Sequence, residues 1–212
     1  MNRLRIRFKR GEEIKYISHL DLVRVWQRAF RRAGVELVYS EGFNPHPRLS
    51  LAAPLALGVT SSCELMDVYI TQSLSGHALT YIVTPQLPAG LEIEQVAAIP
   101  IESPTLQSQL RFAEYAVQIQ ATDASLVKQS IDDLLAKDSV PWEHRRDVGV
   151  KSYDLRPLIE DVWLISYNAG LVTLGMKLRC DSGGAGRPEQ VVRALGQDRP
   201  LAIQRTRLFC QS

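Results

Sequence analysis

Cysteine is scarce in this 212-residue chain: Cys63, Cys180 and Cys210 stand far apart. So odd and sparse a set excludes a disulfide framework. No CxxC or CxxxCxxC spacing occurs, so neither a sequence-local zinc knuckle nor an iron–sulfur site is expected. No apolar run approaches the roughly 18–20 residues that a membrane span needs. The opening Met1-Asn2-Arg3-Leu4-Arg5-Ile6-Arg7-Phe8 alternates charged and apolar residues. That is a strand pattern, not the apolar block of a signal peptide, and a cytoplasmic location is expected. GxSxG and HExxH are also missing, which removes the serine-hydrolase elbow and the zinc-protease helix from consideration. Residues 49–110 contain no Lys or Arg at all, and five acids.

The bases missing there are concentrated before it. Residues 1–48 hold 11 Lys/Arg against 5 Asp/Glu, a charge of +6, while 49–110 stands at −5. Residues 111–212 are nearly balanced, with 14 bases and 13 acids. A local basic patch attracts phosphate even on a chain whose net charge is only +2.

The clearest local signal follows the first strand. Ser18 and Asp21 have the spacing of a capping box, and Ile17 and Leu22 that of a hydrophobic staple. A helix is expected from His19 to about Ala33, stopped by Gly34. Leu22, Val23, Trp26, Ala29, Phe30 and Ala33 recur at helical spacing and should face a core. Arg24, Arg28 and Arg31 fall along one stripe, with Arg32 beside it.

Strands are expected over 35–39, 48–53, 63–71 and 91–99, with a short helix over 76–83. After a proline-bounded linker at 100–104 a similar order recurs: strand 112–120, helix 125–136, a hairpin of 161–167 with 172–179, helix 188–195 and strand 202–209. This predicts an α+β fold of two tandem ferredoxin-like, split βαβ units with antiparallel sheets, at 1–100 and 105–212. The halves share order rather than recognisable sequence. The stretch Asp181-Ser182-Gly183-Gly184-Ala185-Gly186 lacks the Lys-Ser/Thr ending of a P-loop and reads as a loop.

Several groups are candidates for function. In Ser40-Glu41-Gly42-Phe43-Asn44-Pro45-His46-Pro47, two prolines hold Asn44 and His46 extended. That loop is either a stiff structural turn or a binding element. The arginines are either a solvated helix face or a phosphate-binding ridge with Arg48. Arg28 and Arg31 have no acid within four residues, so their mutual repulsion, a few tenths of a kcal/mol per pair, would be offset by a polyanion. Tyr16 and Phe43 are candidate stacking platforms for unpaired bases, with Tyr39, a strand residue, assigned rather to the core. His19, at the helix start, is either a surface residue or an anion contact. His19 and His46 are also the candidate acid and base of a metal-independent endoribonuclease. A metal held by His19, Asp21 and His46 competes with the capping role of Asp21, and no metal or cofactor is expected. Trp142-Glu143-His144-Arg145-Arg146 either extends the basic patch or is an ordinary exposed segment. The base-free stretch 49–110 offers a third reading, a protein-binding adaptor surface.

Several of these motifs occur together in a known family. Arg5-Ile6-Arg7-Phe8-Lys9-Arg10-Gly11, Tyr16-Ile17-Ser18-His19-Leu20-Asp21-Leu22, Arg28-Ala29-Phe30-Arg31-Arg32-Ala33-Gly34 and Tyr39 to Pro47 resemble the bacterial radical-SAM-linked family. This is a domain of unknown function, found alone or C-terminal to radical SAM proteins. The match is strongest over residues 3–70. The resemblance implies proximity to genes for an E/G-type ribonuclease and ribosomal proteins. It implies partners in RNA (tRNA or rRNA) and a radical SAM protein, and no DNA or membrane. It also gives Asp154-Leu155-Arg156-Pro157-Leu158 a family counterpart, which adds Arg156 to the expected RNA contacts. The cysteine pattern of a radical SAM enzyme is absent, so the chain would be its companion. At fold level alone, tandem ferredoxin-like halves also look like CRISPR repeat-processing endoribonucleases.

Overall fold

The computed structural model describes residues 1–146 and 149–211, with the side chains of 144–151 outside that description. The chain divides into two units, Met1–Leu110 and Arg111–Gln211. Both are mixed α+β with antiparallel pairing.

The first unit begins with β1 (Asn2–Arg10) and α1 (His19–Arg32). Then come β2 (Leu49–Leu51), β3 (Thr60–Ile70), α2 (Gly76–Val83), β4 (Leu91–Ile99) and the short α3 (Leu106–Gln109). The strand order is β4-β1-β3-β2. β1 therefore lies between β4 and β3, antiparallel to both. Its alternation turns Leu4, Ile6 and Phe8 into the core. α1 covers that face with Leu22, Trp26, Ala29 and Phe30. Trp26 meets Phe8 edge-on at 5.0 Å and stacks near Phe30 at 5.6 Å.

The helix starts and stops where its sequence says. The Ser18 hydroxyl accepts the Asp21 N–H at 3.1 Å. Gly34 follows with φ +71°, a conformation that only glycine adopts without strain. The expected strand at 35–39 is reduced to isolated bridges, Leu37 with Ile70 and Tyr39 with Pro47. Tyr39, assigned to the core from sequence, is 54% exposed. The stretch 100–104, read as a linker, is fastened to β1: Arg3 donates to the carbonyls of Ser103 (2.6 Å) and Pro104 (2.8 Å).

The second unit runs β5 (Leu110–Gln120), α4 (Ala124–Leu135), β6 (Pro141–Arg146), β7 (Gly149–Asp154), β8 (Ile159–Asn168), β9 (Leu171–Asp181), β10 (Gly184–Ala185), α5 (Pro188–Ala194) and β11 (Ala202–Cys210). Its strand order is β11-β5-β9-β8, with β10 folded back on the end of β9. Val117 and Ile119 of β5, Leu174 and Met176 of β9, and Ile131 of α4 are among its buried residues. The hairpin β6–β7 is an element that sequence periodicity did not reveal. Among the described residues no helix is long and apolar enough to cross a membrane.

Candidate nucleic-acid interface

The bases of the first 48 residues fall into two sets. Those of β1 are committed inside the unit. Arg3 and Arg5 share one carboxylate: Asp67 of β3 accepts from Arg3 at 2.6 Å and from Arg5 at 2.7 Å. Arg3 and Asp67 are buried. Arg7 pairs with Glu94 of β4 at 3.0 Å, and Lys9 bridges Glu92 and Glu94. Arg10, also buried, donates to the carbonyls of Ile14, Lys15 and Ile17, the last at 2.6 Å. It thereby shapes the turn that carries Tyr16 into α1. Its position offered a signal: Arg10 has the even parity of Leu4, Ile6 and Phe8, the core-facing residues. Asp67, Glu92 and Glu94 come from the base-free stretch, so much of its acidity answers β1.

The bases of α1 stand differently. Arg24 pairs with Asp21 at 3.0 Å. The Ser18 hydroxyl, with Arg24 next, holds the Asp21 carboxyl below its usual range, which fixes that residue in capping. Arg28 and Arg31 are exposed, and among the described residues neither has a hydrogen-bond or ion-pair partner. Arg24, Arg28 and Arg31 line a groove of about 730 Å³ that continues past Gly34 and the acid Glu36 to Leu37, Tyr39 and Pro47. Arg32, also exposed, faces a smaller cleft with Pro85, Leu87 and Pro88, a space Arg28 borders as well.

Tyr39 and Pro47 are the two ends of the proline-rich loop. The loop is closed at its base by the Ser40 N–H donating to the His46 carbonyl at 2.8 Å. The Ser40 hydroxyl accepts the His46 N–H at 3.0 Å. Its tip projects Phe43, Asn44 and His46 into solvent, Phe43 entirely so. The arginine ridge and the base of this loop therefore border one space, while Phe43, Asn44 and His46 are not among the residues lining it.

His19 is half-buried at the start of α1 and is not a groove residue either. Tyr16 is 73% exposed, with the Lys15 ammonium 5.3 Å from its ring centre. Arg48 lies over the Tyr69 ring at 4.1 Å, so part of its guanidinium is engaged within the unit. Among the described residues, no three His, Cys, Asp or Glu side chains converge as a metal site would require.

Arg156 is held by the backbone of the second unit. Its guanidinium donates to the carbonyls of Leu135 (3.0 Å), Lys137 (3.1 Å) and Ile159 (2.7 Å). It ties the end of α4 to β8, so its guanidinium is engaged within the unit. The Asp154 carboxylate accepts the Arg156 backbone N–H at 2.9 Å. In the Trp142–Arg146 segment, the side chains of His144, Arg145 and Arg146 lie outside the described residues.

Two solved structures share the fold at low identity. One is a Cbf5-Nop10-Gar1 complex: TM-score 0.51, 10% identity, covering 99% of this chain and 50% of that one. The other is the archaeal box H/ACA sRNP Nop10-Cbf5 complex: TM-score 0.50, 8% identity, covering 96% and 47%. The chain thus spans about half the length of these neighbours. No curated protein matches it. One family model, however, takes in most of the molecule, residues 3–188, from the paired arginines of β1 to the start of α5. The chain belongs to the family described as "Uncharacterized protein conserved in bacteria (DUF2344)".

Proposed function

We propose that this chain is a cytoplasmic RNA-binding accessory protein that works with a radical SAM enzyme in the modification or maturation of RNA or the ribosome. The scaffold in this reading is a tandem pair of ferredoxin-like units. Support for the scaffold is the strand order of each unit: with β6, β7 and β10 of the second unit left out of the count, both run 4-1-3-2, with a helix after the first and the third strand. Support for RNA is one observation, the groove that joins Arg24, Arg28 and Arg31 to Tyr39 and Pro47. Arg28 and Arg31 lack acid partners among the described residues, so phosphates would meet guanidinium groups not already neutralised. The exposed Tyr39 ring offers a base a stacking face at the groove's far end. The archaeal neighbour is part of an sRNP, but at 8% identity that likeness concerns fold. The radical SAM partnership rests on the motif resemblance over residues 3–70.

Fluorescence anisotropy with labelled tRNA and rRNA fragments tests the reading. Binding should weaken with salt, and Arg28→Ala/Arg31→Ala should weaken it for every sequence. Unchanged affinity in that double variant rejects the RNA groove. Recovery of a radical SAM protein from nuclease-treated extract on the tagged chain tests the partnership separately.

A further inference from the structure

The second unit contains a cleft that the arginine groove does not account for. Its volume is about 430 Å³, within the range of roughly 300–1,000 Å³ typical of small-molecule sites. The residues that matter are Tyr153, Asp154, Arg179, Gly183, Arg187 and Gln190. The glycine-rich stretch after β9 forms one side. It packs so closely that a Cβ on Gly183 would lie 2.6 Å from Nη2 of Arg179. Nε of Arg179 donates to both carboxylate oxygens of Asp181, at 3.0 and 2.9 Å. Asp181 also accepts the Gly183 N–H at 2.7 Å. The Arg179 fork is thus oriented through Nε, while among the described residues its two Nη groups have no hydrogen-bond partner. Arg187 is exposed and has no such partner either.

Gln190 supplies the second observation. It is 7% exposed, and its Oε1 is buried without a hydrogen-bond partner. A buried amide oxygen left unpaired in a cleft wall is destabilising, and a turn of the Gln190 side chain toward the cleft would let a ligand there satisfy it. Asp154 adds an acceptor. Its carboxyl, held below the usual range by the N–H groups of Val140 and Arg156, stays ionised at neutral pH. Tyr153 adds an aromatic surface. Two cationic forks, an amide able to pair with a base edge, a carboxylate and a ring together match a phosphate joined to a nitrogen heterocycle.

We infer that this cleft binds a nucleoside monophosphate unit, its phosphate toward Arg179 and Arg187 and its base toward Tyr153 and Gln190. The unit is either a free nucleotide or one residue of an RNA strand, the same chemistry from two sources. The inference uses none of the α1 residues.

Calorimetric titration of the full chain with AMP, GMP, CMP and UMP tests it. All titrations use the Arg28→Ala/Arg31→Ala background, so that the groove does not contribute. At least one mononucleotide should bind saturably, and its nucleoside should bind about tenfold more weakly for want of the charge-assisted contacts. Arg187→Ala, at an exposed position, should weaken the mononucleotide by a similar factor, and Gln190→Leu should abolish the preference among bases. If no mononucleotide saturates, or Arg187→Ala binds like its parent, the site is not a nucleotide site. Tighter binding of a tetranucleotide than of its mononucleotide supports the site and assigns it to an RNA strand. Equal affinity supports it as a site for the free nucleotide. Because the background already lacks the groove arginines, failure here leaves the α1 reading standing, and the reverse.

Discussion

Arg3, Arg5 and Arg10 of β1 are held inside the first unit, whereas Arg28 and Arg31 of α1 stand in solvent beside an open groove. Residue type does not distinguish the two sets; position among neighbours does. β1 lies between strands carrying Asp67, Glu92 and Glu94. Beside the arginine stripe of α1, Asp21 is engaged by Ser18 and Arg24, and Glu36 in the groove wall accepts the Thr71 hydroxyl. A guanidinium that finds a carboxylate within the fold contributes to folding. One that finds none keeps its donors for an outside anion. The +6 of residues 1–48 therefore overstates what a partner meets.

Removing the buried carboxylate gives the largest expected effect. Asp67→Ala strands Arg3 as a buried unpaired charge and should cost about 3–5 kcal/mol, read as a lower urea midpoint. A variant as stable as its parent would mean that β1 and α1 use their arginines alike. Next comes Arg28→Ala/Arg31→Ala. Its RNA affinity should fall about tenfold at physiological salt, and its log–log salt slope should flatten by about 1.4, for two single-strand phosphate contacts. Its stability should move by no more than about 0.5 kcal/mol.

Tyr39→Ala sharpens the picture of the groove. It should lose about 1 kcal/mol of RNA affinity, the lower end for a stacking ring, with an unaltered salt slope. A flattened slope would assign Tyr39 to the phosphate path instead. Asp154 gives a pH signature. Because its folded-state pKa is lowered, its stabilisation is complete above the unfolded value near 4 and is lost as pH falls through the folded one. Urea midpoints of Asp154→Ala should therefore fall less steeply below about pH 4 than those of the parent. Smallest of all is Arg7→Ala. Its partly exposed pair with Glu94 should be worth less than about 1 kcal/mol, and RNA affinity should not change.

Much of the fold was legible locally. The limits of α2 and β4 coincide with the sequence expectation, and α1 ends within one residue of it. In each, capping or alternation is a short-range signal. The stretch 35–39 misled because β-branched residues suit a strand, whereas its pairing with β3 occurs only in patches. β6–β7 went unread because its alternation carries few apolar residues, with Trp142 opposite Tyr153 the aromatic pair. Of the site, the α1 stripe was readable from 4-then-3 spacing. Its meeting with Tyr39 and Pro47 was not, and neither was the role of Arg156, whose three carbonyl acceptors converge only when α4 and β8 pack.

By itself, the sequence determined where α1 begins and ends, which face of β1 is apolar, and that bases and acids sit in separate stretches. These depend on dihedral preferences and on periods of two and 3.6 residues, all short-range. Only the tertiary structure decided which arginines remain outside. An ion pair needs its partners within a few ångströms, and Asp67 reaches Arg3 across 64 positions of chain only because β1 and β3 lie side by side.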